Sequence, residues 1–230
     1  LNLKEGFTMK VRIASLIVLC LALAGMPAWA QWSYDNGPIN GNTNAWTINL
    51  GYIVSDTFYA GGPTTGFAFG AWEYFGDSLT SVDWSITTGA NGGTTIGSGT
   101  ATASGGKGGT LTDQFRFQND YGFDIDLVTV TGLNVSTTSG TTYWLNLFNA
   151  TVPSGDPVAW DENSGTGCGG SGGGANCPSL AYDIEVGTIA SEAFSISGSN
   201  GTGTTPEPGS IMLFGSGVLG LAGLLRRKLL

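Results

Sequence analysis

There is no histidine among the 230 residues of the chain. Ser-His-Asp and Cys-His nucleophilic catalysis are therefore excluded, as is every metal site that needs an imidazole. Positive charge is nearly as scarce. Eight lysines and arginines stand against 17 acidic residues, for a net charge of −9. Six of the eight sit at the ends: Lys4, Lys10, Arg12, Arg226, Arg227 and Lys228. Between residues 31 and 205, Lys107 and Arg116 face 15 acids, which leaves that stretch at −13. Such a surface repels phosphate backbones, which excludes nucleic acid as a partner, and it attracts cations. Cysteine is limited to Cys20, Cys168 and Cys177. Lys, Glu and Ala are few from Trp32 to Gly198, where Gly, Thr, Ser, Asn and aromatics dominate. That bias disfavours long helices and favours strands joined by tight turns.

Long apolar runs are confined to the two ends. Residues 9–30 read MKVRIASLIVLCLALAGMPAWA. Lys10 and Arg12 form a positive leader, Ile13 to Ala24 a short apolar run, and Ala28-Trp29-Ala30 a small-residue cleavage site behind Pro27. Residues 1–30 are thus expected to be a signal peptide, starting at Met9 and cut by signal peptidase to leave Gln31. The apolar run is too short for a permanent membrane helix. Cys20 follows Leu19, where a lipoprotein signal wants a small residue.

The other end carries Pro206-Glu207-Pro208, an apolar stretch from Ser210 to Leu225, and the cluster Arg226-Arg227-Lys228. As a transmembrane helix that stretch spans roughly 24 Å at 1.5 Å per residue. The basic cluster belongs on the cytoplasmic side, which leaves everything before Pro206 outside. The prolines hold an extended approach, and residues 199–205 form a flexible linker. Gly215, Gly217 and Gly220 spell G-x-G-x-x-G, but no strand precedes them and no acid follows, so no dinucleotide site is implied.

This tail, residues 206–230, closely resembles the PEP-CTERM sorting signal. The resemblance implies recognition by an exosortase, an integral-membrane transpeptidase-like enzyme. It would cut near Pro206, Glu207 and Pro208 and release the protein toward the outer surface or an exopolysaccharide matrix. Gly209 after the motif and Leu229-Leu230 after the basic cluster depart from the pattern. A simple tail anchor that is never cut is the alternative. The segments TTYWLNLFNATVPSGDPVAWDENSG and SEAFSIS also look like ectodomains of other PEP-CTERM proteins, which implies a shared fold and no activity.

The middle, residues 31–198, reads as one all-β domain. Val82, Trp84 and Ile86 alternate with Asp83 and Ser85. Phe67 and Phe69 share a face, as do Phe115 and Phe117. Tyr143, Leu145 and Leu147 alternate with Trp144 and Phe148, which suits a strand buried on both sides. Gly132 interrupts the Val/Thr-rich run 125–135 as a potential bulge, and Phe194 and Ile196 close the domain. Turn signals fall at Gly61-Gly62-Pro63, Asn91-Gly92-Gly93, Gly105-Gly106, Asn119-Asp120 and Ser154-Gly155-Asp156-Pro157. Eight to eleven short strands are expected in a two-sheet antiparallel sandwich, jelly-roll-like.

Four constellations carry potential chemistry. Cys168 and Cys177 enclose a flexible loop in an oxidising compartment and are expected to form a disulfide. Asp120, Asp124 and Asp126 alternate beside a turn and offer hard oxygens for Ca²⁺; the competing reading puts Asp124 and Asp126 on the solvent face of a strand. Asp156, Asp161 and Glu162 form a second acidic group with the same two readings. Trp72, Tyr74, Trp160 and Asp161 lie near turns and suit a carbohydrate platform of stacking rings and hydroxyl acceptors. A carboxylate pair would also serve a glycoside hydrolase without histidine, but any acidic β domain offers such pairs. The sequence thus points to an exported, surface-sorted, non-enzymatic β-sandwich protein with a structural or adhesive role in the extracellular matrix or biofilm. A carbohydrate-binding module is the second reading, with no cofactor expected beyond Ca²⁺.

Overall fold

The computed structural model describes residues 32–163 and 179–198. The expected signal peptide, the Cys168–Cys177 pair, the 199–205 linker and the sorting tail lie outside the described residues. Among the described residues there is no helix, and hence none long and apolar enough to cross a membrane. The elements are β1 (Trp32–Asp35), β2 (Ala45–Thr47), β3 (Ile53–Tyr59), β4 (Thr64–Tyr74), β5 (Ser81–Gly89), β6 (Gly92–Thr102) and β7 (Thr110–Gln118). They continue as β8 (Phe123–Val135), β9 (Thr142–Thr151), β10 (Ala159–Asp161), β11 (Ala181–Asp183), β12 (Gly187–Ile189) and β13 (Phe194–Gly198). The all-β class is therefore observed. Four of the five turn signals fall between strands, and of the fifth, Asn91-Gly92-Gly93, Asn91 lies in the β5–β6 turn while the two glycines open β6. The strand count exceeds expectation because β2, β10, β11 and β12 have three residues each, too few to show a period.

Hydrogen bonding joins the strands in the order β1-β13-β4-β8-β7-β6-β5-β9-β3-β11-β12, with β10 bridging β4 and β2. Every pairing is antiparallel except β6–β7, which meet through the single parallel pair Thr102–Thr110. The sheet folds over on itself at this seam. Strands β4 and β5 lie four steps apart along the order, about 19 Å in a flat sheet. Yet the rings of Phe67 on β4 and Trp84 on β5 sit 6.0 Å apart, edge to face. Tyr34 on β1 and Phe58 on β3 also meet, at 6.3 Å. The core lies between these two arms.

The seam depends on missing side chains. A Cβ on Gly108 would fall 2.0 Å from the Thr100 carbonyl oxygen, and one on Gly99 would fall 2.5 Å from the Gly108 Cα. The Trp84 indole then donates to the Gly108 carbonyl at 2.8 Å, which ties the turn to the core.

Strand β5 alternates as expected, with Val82, Trp84 and Ile86 buried. Phe67, Phe69, Phe194, Ile196, Tyr143, Leu145 and Leu147 are also core, while Trp144 and Phe148 are half-buried. The register of β4 against β8 slips between Thr64 and Gly66, opposite the stretch that holds Gly132, whose φ is 79°. Phe115 and Phe117 do not share a buried face. A register shift falls between them, and both are exposed, because the bulge breaks the alternation there.

Candidate functional site

Strand β4 ends in Phe69-Gly70-Ala71-Trp72-Glu73-Tyr74. Alternation places Phe67, Phe69 and Ala71 in the core and turns Trp72 and Tyr74 to the opposite face. On the neighbouring β8, Ile125 lies opposite Trp72 and Phe123 opposite Tyr74. The turn before β8 is held by Asn119, whose Oδ1 accepts from the backbone N–H groups of Tyr121 and Phe123, each at 3.0 Å. That turn lays the Tyr121 ring on Trp72, with centroids 5.9 Å apart and planes 23° from parallel. Phe123 packs against Trp72 at 5.6 Å and edge-on against Tyr74 at 5.1 Å.

The result is an aromatic cleft of about 230 Å³ lined by Asn44, Thr47, Trp72, Tyr74, Phe123 and Ala159, among others. Tyr74 is 45 % and Tyr121 66 % exposed, and Phe75 beside them is more exposed still. Trp72 is held from behind. Its indole N–H donates to Asp161 Oδ1 at 2.6 Å, and the same carboxylate accepts from the backbone N–H of Asn40 at 2.8 Å and of Gly41 at 3.1 Å. Burial raises the Asp161 carboxyl above the usual range, and the Trp72, Asn40 and Gly41 hydrogen bonds pull it back. No carboxylate lines the cleft. It offers flat apolar faces beside amide and hydroxyl groups, with no acid–base pair.

The four residues expected to form a carbohydrate platform divide accordingly. Tyr74 is exposed in the cleft. Trp72 lines it but is covered by Tyr121, so it shapes the platform from within. Trp160 is fully buried, donates to the Ala193 carbonyl at 3.1 Å, and packs edge-on against Phe69 and Phe194. Its strand, β10, is inserted between β2 and β4, so closeness to a turn in sequence gives it no exposure. Asp161 is likewise buried. Tyr121 and Phe123 escaped the sequence reading. The signal was the aromatic pair flanking Gly122, masked by the neighbouring acids of the same segment.

The acidic groups are also redistributed. Asp120 stays exposed in the β7–β8 turn. Asp124 and Asp126 are buried, on the β8 face that also carries Val128 and Val130, and not on a solvent face. Asp124 accepts from the Gly76 N–H at 3.1 Å. Asp126 is gathered with Glu73 and Asp113 and not with Asp120 and Asp124. Asp161 and Glu162 are buried, and Asp156 remains half-buried in the β9–β10 turn. Burial raises the Glu162 carboxyl.

The family model described as the PEP-CTERM protein-sorting motif matches residues 204–228. No curated protein and no solved structure matches the chain.

Proposed function

We propose, for a chain whose PEP-CTERM motif marks it as an exported protein sorted by an exosortase, that the β domain is a non-enzymatic adhesive module. In this reading the aromatic cleft contacts polysaccharide at the cell surface or in the surrounding matrix. The domain is counted as a jelly-roll-like sandwich whose two layers are the facing arms of the curled sheet.

The observation that carries the reading is the exposed pair Tyr74 and Tyr121, flanking Phe123 and backed by the pinned Trp72. Sugar rings present C–H faces that stack on aromatic planes, and Asn44 and Thr47 in the wall can bond hydroxyls. The absence of a carboxylate from the cleft lining favours binding over glycosidic hydrolysis, which needs two.

The test uses the exported protein, the exopolysaccharide extracted from the producing cells, and a glycan array. Wild type is expected to bind. Tyr74→Ala and Tyr121→Ala should each weaken binding roughly two- to tenfold, the range of one lost aromatic contact, with little change in melting temperature. Binding left intact by both substitutions would refute the platform. Polysaccharide turnover by wild type would favour a hydrolase.

A further inference from the structure

The inward face of three adjacent strands changes character along its length. Phe67, Val130 and Leu111 stand side by side on β4, β8 and β7 and are apolar and buried. Toward the end that carries the aromatic cleft, the same face presents Glu73, Asp126 and Asp113. One carboxylate oxygen from each lies within 4.8 Å of the others. Glu73 is 0 % exposed, and neither of its carboxylate oxygens has a hydrogen-bond partner. Asp126 Oδ1 and Asp113 Oδ1 are buried and unpartnered too. The outer oxygen of Asp113 is already used, accepting from Ser78 Oγ at 2.8 Å and the Leu79 N–H at 2.7 Å, so the β4–β5 loop fixes that side chain.

Two like-charged aspartates and a buried glutamate left bare in a low-dielectric pocket are strongly unfavourable. Burial, then Asp113 and Asp126, push the Glu73 carboxyl up to about 9; burial and Asp113 push Asp126 to about 7. Protonation would remove charge but leave the Glu73 hydroxyl with no acceptor. A hard cation takes one oxygen from each of the three carboxylates at once. Oxygens held at 2.3–2.6 Å around Ca²⁺ stand at most about 4.6–5.2 Å apart, and its shell is more tolerant of irregular geometry than that of Mg²⁺.

We propose that Glu73, Asp113 and Asp126 form a Ca²⁺ site that clamps β4, β8 and β7 directly behind the aromatic cleft, water completing the shell. Glu73 lies between Trp72 and Tyr74 in sequence, so the ion would hold the strand end that carries them. The site stands independently of whether the cleft binds polysaccharide.

The full-length protein, solubilised in detergent and stripped with EDTA, is titrated with CaCl₂ at pH 7.5 and followed by calorimetry and thermal melting. Binding heat and a melting temperature raised by roughly 5–10 °C at a hundredfold excess over Kd are expected. Glu73→Gln and Asp126→Asn should melt at or above wild type in EDTA and lose the response to Ca²⁺. A wild type indifferent to Ca²⁺, as a proton shared between Asp113 and Asp126 would give, overturns the site. So does a response that survives Glu73→Gln, or an equal response to MgCl₂ at the same concentrations.

Discussion

Trp160 and Tyr74 are both aromatic, both near turns, and opposite in consequence. Trp160→Ala removes a fully buried ring together with its contacts to Phe69 and Phe194, at a cost of about 3–5 kcal/mol. Urea denaturation of that variant should show a midpoint far below wild type, whereas Tyr74→Ala should leave the midpoint nearly unchanged. Asp161→Asn exchanges an acceptor of three N–H groups for an amide that faces one of them with its own donors. A loss of about 1–3 kcal/mol is expected, measured the same way, together with a shift in Trp72 fluorescence. Residues whose sequence context is one clean alternation were legible: Val-Asp-Trp-Ser-Ile gives the burial of Trp84 directly. Asp126 was not. Alternation with Ile125 was visible, but both faces of β8 are covered at that point, so the choice of solvent face for the acid had no basis in the pattern.

At the scale of elements, the seam and the bulge separate two uses of glycine. Gly132 has a φ of 79° and nothing within 4 Å of a Cβ, so Gly132→Ala meets only backbone strain, about 1–2 kcal/mol. Gly108→Ala meets the Thr100 backbone itself and cannot be relieved by a side-chain rotation. Its variant should lose considerably more stability than Gly132→Ala in parallel chemical denaturation. Equal losses would mean that the β6–β7 seam is easily opened. The long strands were legible because nine to thirteen residues carry several periods. The seam was not, since one parallel pair leaves no periodicity, and the three-residue strands are defined by their partners alone.

The whole molecule should be most stable in acid. Asp56 is fully buried, accepting from the Glu192 N–H at 2.7 Å, and burial pushes its carboxyl up to about 7. Glu192, also fully buried with both carboxylate oxygens unpartnered, is pushed well up by burial and by Asp56. Unfolded, such groups titrate near 4. The folded state therefore holds extra protons above that point, and its stability, fully present below about pH 4, falls as the pH rises through about 7. Melting temperatures in EDTA should decline from pH 4 to pH 8, and Asp56→Asn should flatten the decline. A flat or rising wild-type profile would contradict this. Sorting is tested separately: alanines at Pro206, Glu207 and Pro208 should hold the precursor in the membrane fraction on immunoblots, whereas wild type reaches the surface.

The register of the first and last strands has a directional consequence. Trp32 pairs with Ser197, and Gly198 pairs with Thr64 at the start of β4. The polypeptide therefore enters and leaves the sheet at a single corner, and β1 cannot find its partner until the last strand has been made. Tyr74 ends the same 11-residue strand, about 33 Å away at 3.3 Å per residue. The rings gathered around Tyr74 are thus set a full strand length from the place where both ends of the domain depart.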